Sequence, residues 1–115
     1  MPSRARTFAD KANLGISNQT GTTYTFVLSD ADEITTFSNS SATTVTVPTN
    51  ANVAYEIGTV LNVIQIGAGQ VTFVGDTGVT INSERGLKIK GQYGVVACIK
   101  RSTDTWVLAG NTVEV

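Results

Sequence analysis

Nine carboxylates and no histidine set the chemical limits of this 115-residue chain. Histidine is the side chain whose ordinary pKa suits proton transfer near neutrality, so Ser-His and Cys-His nucleophile pairs are excluded. Glycosidase-type chemistry needs two acids held at a fixed separation. Here Asp30, Asp32, Asp76 and Asp104 fall in turns, where an aspartate bonds the turn's own backbone. Asp30, Asp32 and Glu33 could offer oxygens to calcium, but their spacing fits no EF-hand loop and reads as a capped turn. Gly67-Ala68-Gly69 is followed by strand residues, whereas a pyrophosphate site needs a helix N-terminus there. Asn18-Gln19-Thr20 and Asn39-Ser40-Ser41 match the glycosylation sequon by letter, as a Ser/Thr-rich chain does by coincidence. No catalytic residue, metal ligand or cofactor-binding residue is assigned, and the expectation is a protein that is not an enzyme and carries no cofactor.

What remains is surface chemistry. The formal charge is −1, yet Arg4, Arg6 and Lys11 against Asp10 leave the first thirteen residues positive and the body acidic. An acidic body argues against nucleic acid as a partner, and no aromatics interleave with cations as stacking platforms require. Lys88, Lys90, Lys100 and Arg101 read as a solvated face. Tyr55, Tyr93 and Trp106 could stack on sugar rings, against the simpler reading that they are core aromatics. No apolar run approaches the roughly 20 residues of a membrane helix. The start, MPSRARTFADKAN, has no apolar leader, and the single cysteine, Cys98, sits in the apolar stretch Val95–Ile99. These features predict folding in a reducing cytosol.

The elements that must carry this surface are strands. Charged residues make up 15% of the chain, and β-branched threonine and valine take much of the remainder, a composition that suits pleated sheets. Residues 1–13 show no β pattern and read as a basic arm or short helical turn that needs a partner surface to order it. Residues 14–115 read as one β domain. Strands are predicted at 23–28, 33–37, 43–47, 60–66, 71–74, 79–81, 86–90, 93–100 and 105–109. Pro48 ends one of them and opens a loop with Val53, Tyr55 and Ile57 at alternate positions. The glycine turns at 67–69, where positive φ comes at no steric cost, and at 75–78 are read as chain reversals, and Lys88 and Lys90 as guards of an edge strand. The expected fold is all-β, a compact antiparallel β-sandwich or barrel-like domain of about nine short strands with a short N-terminal arm. No fixed period suggests a solenoid. The expected core or subunit interface is Phe26, Val45, Val47, Val63, Ile64, Val71, Phe73, Ile81, Leu87, Ile89, Val96 and Ile99. The strands at 60–66 and 95–99, apolar on both faces, are expected at the centre of a sheet or against a neighbouring subunit.

Three segments in order, Gln19–Thr25 with Leu28-Ser29-Asp30-Ala31, Thr44–Pro48, and Gly58-Thr59 through Gly67–Thr72, are joined by the ending Asp104–Gly110. Together they resemble a small β domain that recurs in virion structural proteins of tailed bacteriophages, notably marine cyanophages, in tail and head fibres and capsid-associated proteins. The resemblance spans residues 16–111 and carries over no catalytic residues. It implies a capsid decoration, or cement, protein on the outer surface of the head, made in the host cytoplasm and located on the virion. The implied partners are further copies of itself, as a homotrimer, and the major capsid protein, with no nucleic acid and no membrane. In that reading Arg4, Arg6, Phe8 and Lys11 form the capsid-binding arm. The alternative is a tail-fibre or head-fibre module whose Tyr55, Tyr93 and Trp106 contact host surface glycan.

Overall fold

Alternating threonine and valine runs separated by short turns give strands that change sheet at almost every corner. The computed structural model describes residues 14–114, so the arm, with Arg4, Arg6, Phe8 and Lys11, lies outside the described residues. The chain forms β1 (Gly15–Gln19), β2 (Thr23–Thr25), a 3-10 turn (Leu28–Asp32), β3 (Glu33–Phe37), β4 (Thr43–Val47), β5 (Val60–Gln65) and β6 (Val71–Gly75). It continues through β7 (Thr80–Ser83), β8 (Lys88–Ile89), β9 (Val95–Ser102), β10 (Thr105–Gly110) and β11 (Thr112–Val113). The fold is all-β, with a Cα radius of gyration of 13.7 Å.

The pairing departs from the antiparallel expectation. A six-stranded sheet runs β1-β3-β5-β9-β10-β7 and a five-stranded sheet runs β11-β8-β6-β4-β2. β1, β3 and β5 are parallel neighbours in the first, and β2, β4 and β6 in the second. The first half of the chain therefore winds between the two sheets in a solenoid-like course, and β6 continues that winding where a return hairpin was predicted. Antiparallel pairing is confined to the joins β5–β9, β9–β10, β6–β8 and β8–β11. Successive turns differ in length. Gly15 aligns with Glu33 and Thr23 with Thr44, steps of 18 and 21 residues, whereas Ile34 aligns with Asn62 and Thr43 with Val71, steps of 28. Unequal coils leave no fixed period in the sequence to find.

The winding holds because its corners stack. Asn39 Nδ2 donates to the Thr20 carbonyl, and Gly67 and Gly69 amides donate to the carbonyls of Phe37 and Asn39. A Cβ on Gly67 would lie 2.3 Å from the Asn39 carbonyl oxygen, and one on Gly69 would lie 1.9 Å from that of Ser41. These glycines serve close backbone approach; the positive φ expected at 67–69 is absent there and occurs at Gly78, within the turn read at 75–78, and at Gly58, Gly86 and Gly110. Buried Gln65 clamps the same corner, its Nε2 donating to the Gly67 carbonyl and its Oε1 accepting from the Val71 amide.

The core lies between the sheets. Leu61, Val63, Val96, Cys98, Trp106 and Leu108 face inward from the six-stranded sheet, and Val45, Val47, Val71, Phe73 and Ile89 from the other. Phe26 and Phe73 stack at 6.3 Å, and Tyr24 meets Phe37 edge-on at 5.7 Å across the sheets. Of the expected core, Ile81 and Leu87 are only partly buried, while Ile64 and Ile99 point outward from β5 and β9. β5 and β9 are central strands, as their two apolar faces imply. β8 is not the edge its lysines suggested, since β11 covers it.

The corner stack has a direct test. Gly69→Ala should cost at least about 2 kcal/mol in urea unfolding, because backbone and not a flexible side chain must move. Gly91→Ala, with nothing within 4 Å of its Cβ, should change stability by no more than about 0.5 kcal/mol.

Candidate functional site

Three features drawn from the sequence can be placed: the acids, the aromatics and the cations. Asp30 is buried at the 3-10 turn, where its Oδ2 accepts from the Tyr24 hydroxyl at 2.8 Å and the Val27 amide at 2.9 Å. It closes its own turn, as aspartates in turns do, and also anchors a core tyrosine. Asp76 accepts from the Thr77 amide and Asp104 from the Asn50 amide, both at 2.8 Å. Among the described residues no three histidine, cysteine or acidic side chains gather as metal ligands would. Asn18 and Asn39 hold corners together, Asn18 by accepting from Thr36 and Ser38 and Asn39 by bonding Thr20 and Ser41.

The three aromatics do not share a surface. Tyr55 and Trp106 are buried, edge to face at 5.6 Å, and the Tyr55 hydroxyl donates to the Val27 carbonyl. Tyr55 thereby plugs one end of the core from the long β4–β5 connection, while Ile57 beside it stays exposed. Tyr93 is 67% exposed and has φ of 68°. It is the single non-glycine in the left-handed region among the described residues, a conformation that costs about 1–3 kcal/mol. Neighbouring bonds hold it there: the Tyr93 amide donates to the Gln65 carbonyl, and Gln92 Nε2 donates to the Ile66 carbonyl.

The four later cations form no single patch. Lys88 and Lys90 lie at β8, and Arg101 is exposed at the end of β9. Lys100, one residue earlier, points inward and is 2% exposed. Its Nζ donates to Asn50 Oδ1 at 2.6 Å and to the Tyr55 carbonyl at 2.7 Å, tying the β4–β5 connection to the central sheet. The alternation that puts Val96 and Cys98 inside puts Lys100 inside as well. The period was readable in the sequence; the acceptors that satisfy the ammonium come from about fifty residues away and were not.

The two outer faces have opposite characters. On the five-stranded sheet, Thr23, Thr44 and Thr72 form one row across β2, β4 and β6, and Thr25, Thr46 and Val74 the next. Lys88 ends the first row. On the six-stranded sheet the corresponding rows read Val60, Ile99 and Val107, then Ile16, Ile34, Asn62, Ala97 and Ala109, then Asn18, Thr36, Ile64 and Val95. These rows hold no charged side chain, and Arg101, exposed on the same side of β9, adds one cation where that strand ends. The chain matches no family model, no curated protein and no solved structure.

Burial and hydrogen bonding set the titration behaviour. The Tyr24 hydroxyl is pushed up by burial first and then by its bond to Asp30; that of Tyr55 is raised by burial and then by the Asp30 charge. Burial pushes the Cys98 thiol up to about 12. All three acids have folded pKa values above their unfolded ones, so their contribution to stability is complete below the unfolded values and drains away as pH rises through them. Unfolding free energy should therefore fall from about pH 9 upward, and Tyr24→Phe should flatten that decline. Cys98 should resist a thiol reagent at pH 8 in the folded protein and react fully in denaturant. Lys100→Met, which keeps the stem and removes the ammonium, should cost about 2–4 kcal/mol by leaving Asn50 and the Tyr55 carbonyl unpaired.

Proposed function

We propose that this protein is a structural component of a tailed-phage virion, a decoration protein that binds the outer capsid surface and stabilises the head. Its partners in this reading are the major capsid protein and its own copies, arranged as a homotrimer. The two-sheet body is read as a β-sandwich, rigid enough to act by shape alone. The observation that carries the proposal is the contrast between the outer faces, one largely apolar with Arg101 at its end, the other mostly threonine. A module made to sit against other subunits has such sides, and many modest contacts of this kind add up over a particle. The resemblance to virion proteins supports the same reading, since its segments Gln19–Thr25 and Gly67–Thr72 include the stacked corners at 20–22 and 67–69 that rigidify the body.

The basic arm supplies the contact with the shell in this proposal. Arg4, Arg6 and Lys11 pair with shell carboxylates and Phe8 fills an apolar notch, contacts of about 1–3 kcal/mol each. The fibre alternative rests on a platform of Tyr55, Tyr93 and Trp106, and burial of two of the three favours decoration over glycan contact.

Quantitative mass spectrometry of purified particles should find on the order of hundreds of copies per virion, as capsid-wide multivalent binding requires; a few dozen or fewer would place the protein in a fibre. Deleting residues 2–13 should leave the β domain folded and abolish binding to undecorated capsids. Undiminished binding by the truncated protein would move the anchor to the β body.

A further inference from the structure

We propose that the outer face of the six-stranded sheet is the surface on which a second copy of this chain packs. This deepens the self-association part of the reading above and does not depend on the capsid. Val60, Ile64, Val95, Ile99, Val107 and Ile34 line the face in register across β3, β5, β9 and β10. Val95 is 50% and Ile99 37% exposed although both lie on the most central strand of the sheet. Elsewhere the chain handles an outer sheet face differently. On the five-stranded sheet the same outward positions carry threonine and lysine, which water solvates without cost, with Val74 the one apolar member of the rows. One sequence thus builds a wet face and a dry one on the same winding, and the dry one is where contact with protein removes apolar area from water.

The occupant follows from size and charge. Six strands about 4.8 Å apart, averaging about 19 Å long, give a plane of about 550 Å² before side-chain relief is counted. A stable pair covers about 800 Å² on each partner, so the face supplies most of what such a contact needs. Residues 1–13 are a poor cover, since Met1 and Phe8 are their only large apolar side chains and four of the thirteen carry charge. A partner of strong opposite charge is not called for, because the only cation on this side of β9 is Arg101, at the strand's end and outside the apolar rows. A flat face whose rows are largely β-branched and carry no charge between β3 and β10 is self-complementary, and sheets stack face to face about 10 Å apart through such side chains. At the margin of the face, beside the start of β5, Leu14, Ile57 and Val60 border a cavity of about 200 Å³ whose lining also includes Glu56 and Asn62, and Ile57 is 66% exposed.

Sedimentation of the full chain at micromolar concentration tests this. The wild type should sediment as an oligomer. The double variant Val95→Lys with Ile99→Lys should associate at least about 100-fold more weakly, with unchanged β circular dichroism. Thr44→Lys, on the opposite sheet, should associate as the wild type does. If the double variant remains oligomeric, copies meet elsewhere and this assignment falls while self-association stands. If the wild type is a monomer, self-association itself falls and the face belongs to a different protein. Should the double variant misfold, Val107→Cys provides the second measurement. Its thiol should be protected from a maleimide at concentrations where the protein is oligomeric and labelled on dilution. Labelling at one rate under both conditions would overturn the proposal.

Discussion

Everything in this fold depends on how closely one turn of backbone can lie on the next. At the corner joining β5 to β6, the chain at Gly67 and Gly69 lies directly on Asn39 and Ser41, too near for any Cβ between them. That contact lets β5 take a parallel place beside β3 and β6 beside β4. Parallel neighbours exchange hydrogen bonds only when their connections leave the sheet and return, and here each connection makes that journey through the opposite sheet. With a side chain at either glycine the corner could not close, and the registers on both sides of the core would be lost together.

The registers in turn create the two outer faces. Because side chains alternate along a strand, a row of alignments that buries Leu61, Cys98 and Leu108 also gathers Val60, Ile99 and Val107 on the other side. The threonines of β2, β4 and β6 are gathered in the same way behind Tyr24, Val45 and Phe73. A largely apolar face and a hydroxyl face are therefore consequences of one winding. Among the described residues no three histidine, cysteine or acidic side chains gather, and the distinctive chemistry is spread over planes, which is the ground for the assembly proposed above.

Polar groups inside the core serve the same economy of shape. Asp30 fixes the 3-10 turn to Tyr24, Gln65 clamps the corner, and Lys100 holds the β4–β5 connection over the open end of the core. Asp30 and Gln65 are satisfied by partners close in sequence at their own turns, and Lys100 by acceptors on a segment distant in sequence. An unpaired buried group costs far more than a bond gains, so these residues select one arrangement of loops over others.

The sequence by itself determined that the protein is all-β, where most strands lie, and which residues alternate inward, because the period of two and the turn residues are local properties of the chain. β4 ran as read, β5 and β9 fell at the centre of the sheet, and Cys98 was buried with its apolar neighbours. Strand direction was different. Gly67-Ala68-Gly69 is as good a hairpin turn by composition as it is a solenoid corner, and only its contact with Asn39 and Ser41 decides between them. Coils of 18, 21 and 28 residues hid the winding from any search for a fixed repeat. Tyr55 and Trp106 are core aromatics, the simpler of their two readings, whereas Lys100 read as a surface cation until the long connection after Pro48 folded back to meet it. Local patterns are written in neighbouring residues, whereas parallel pairing, burial at the ends of sheets and the partners of buried charges depend on segments that meet only when the chain has closed on itself.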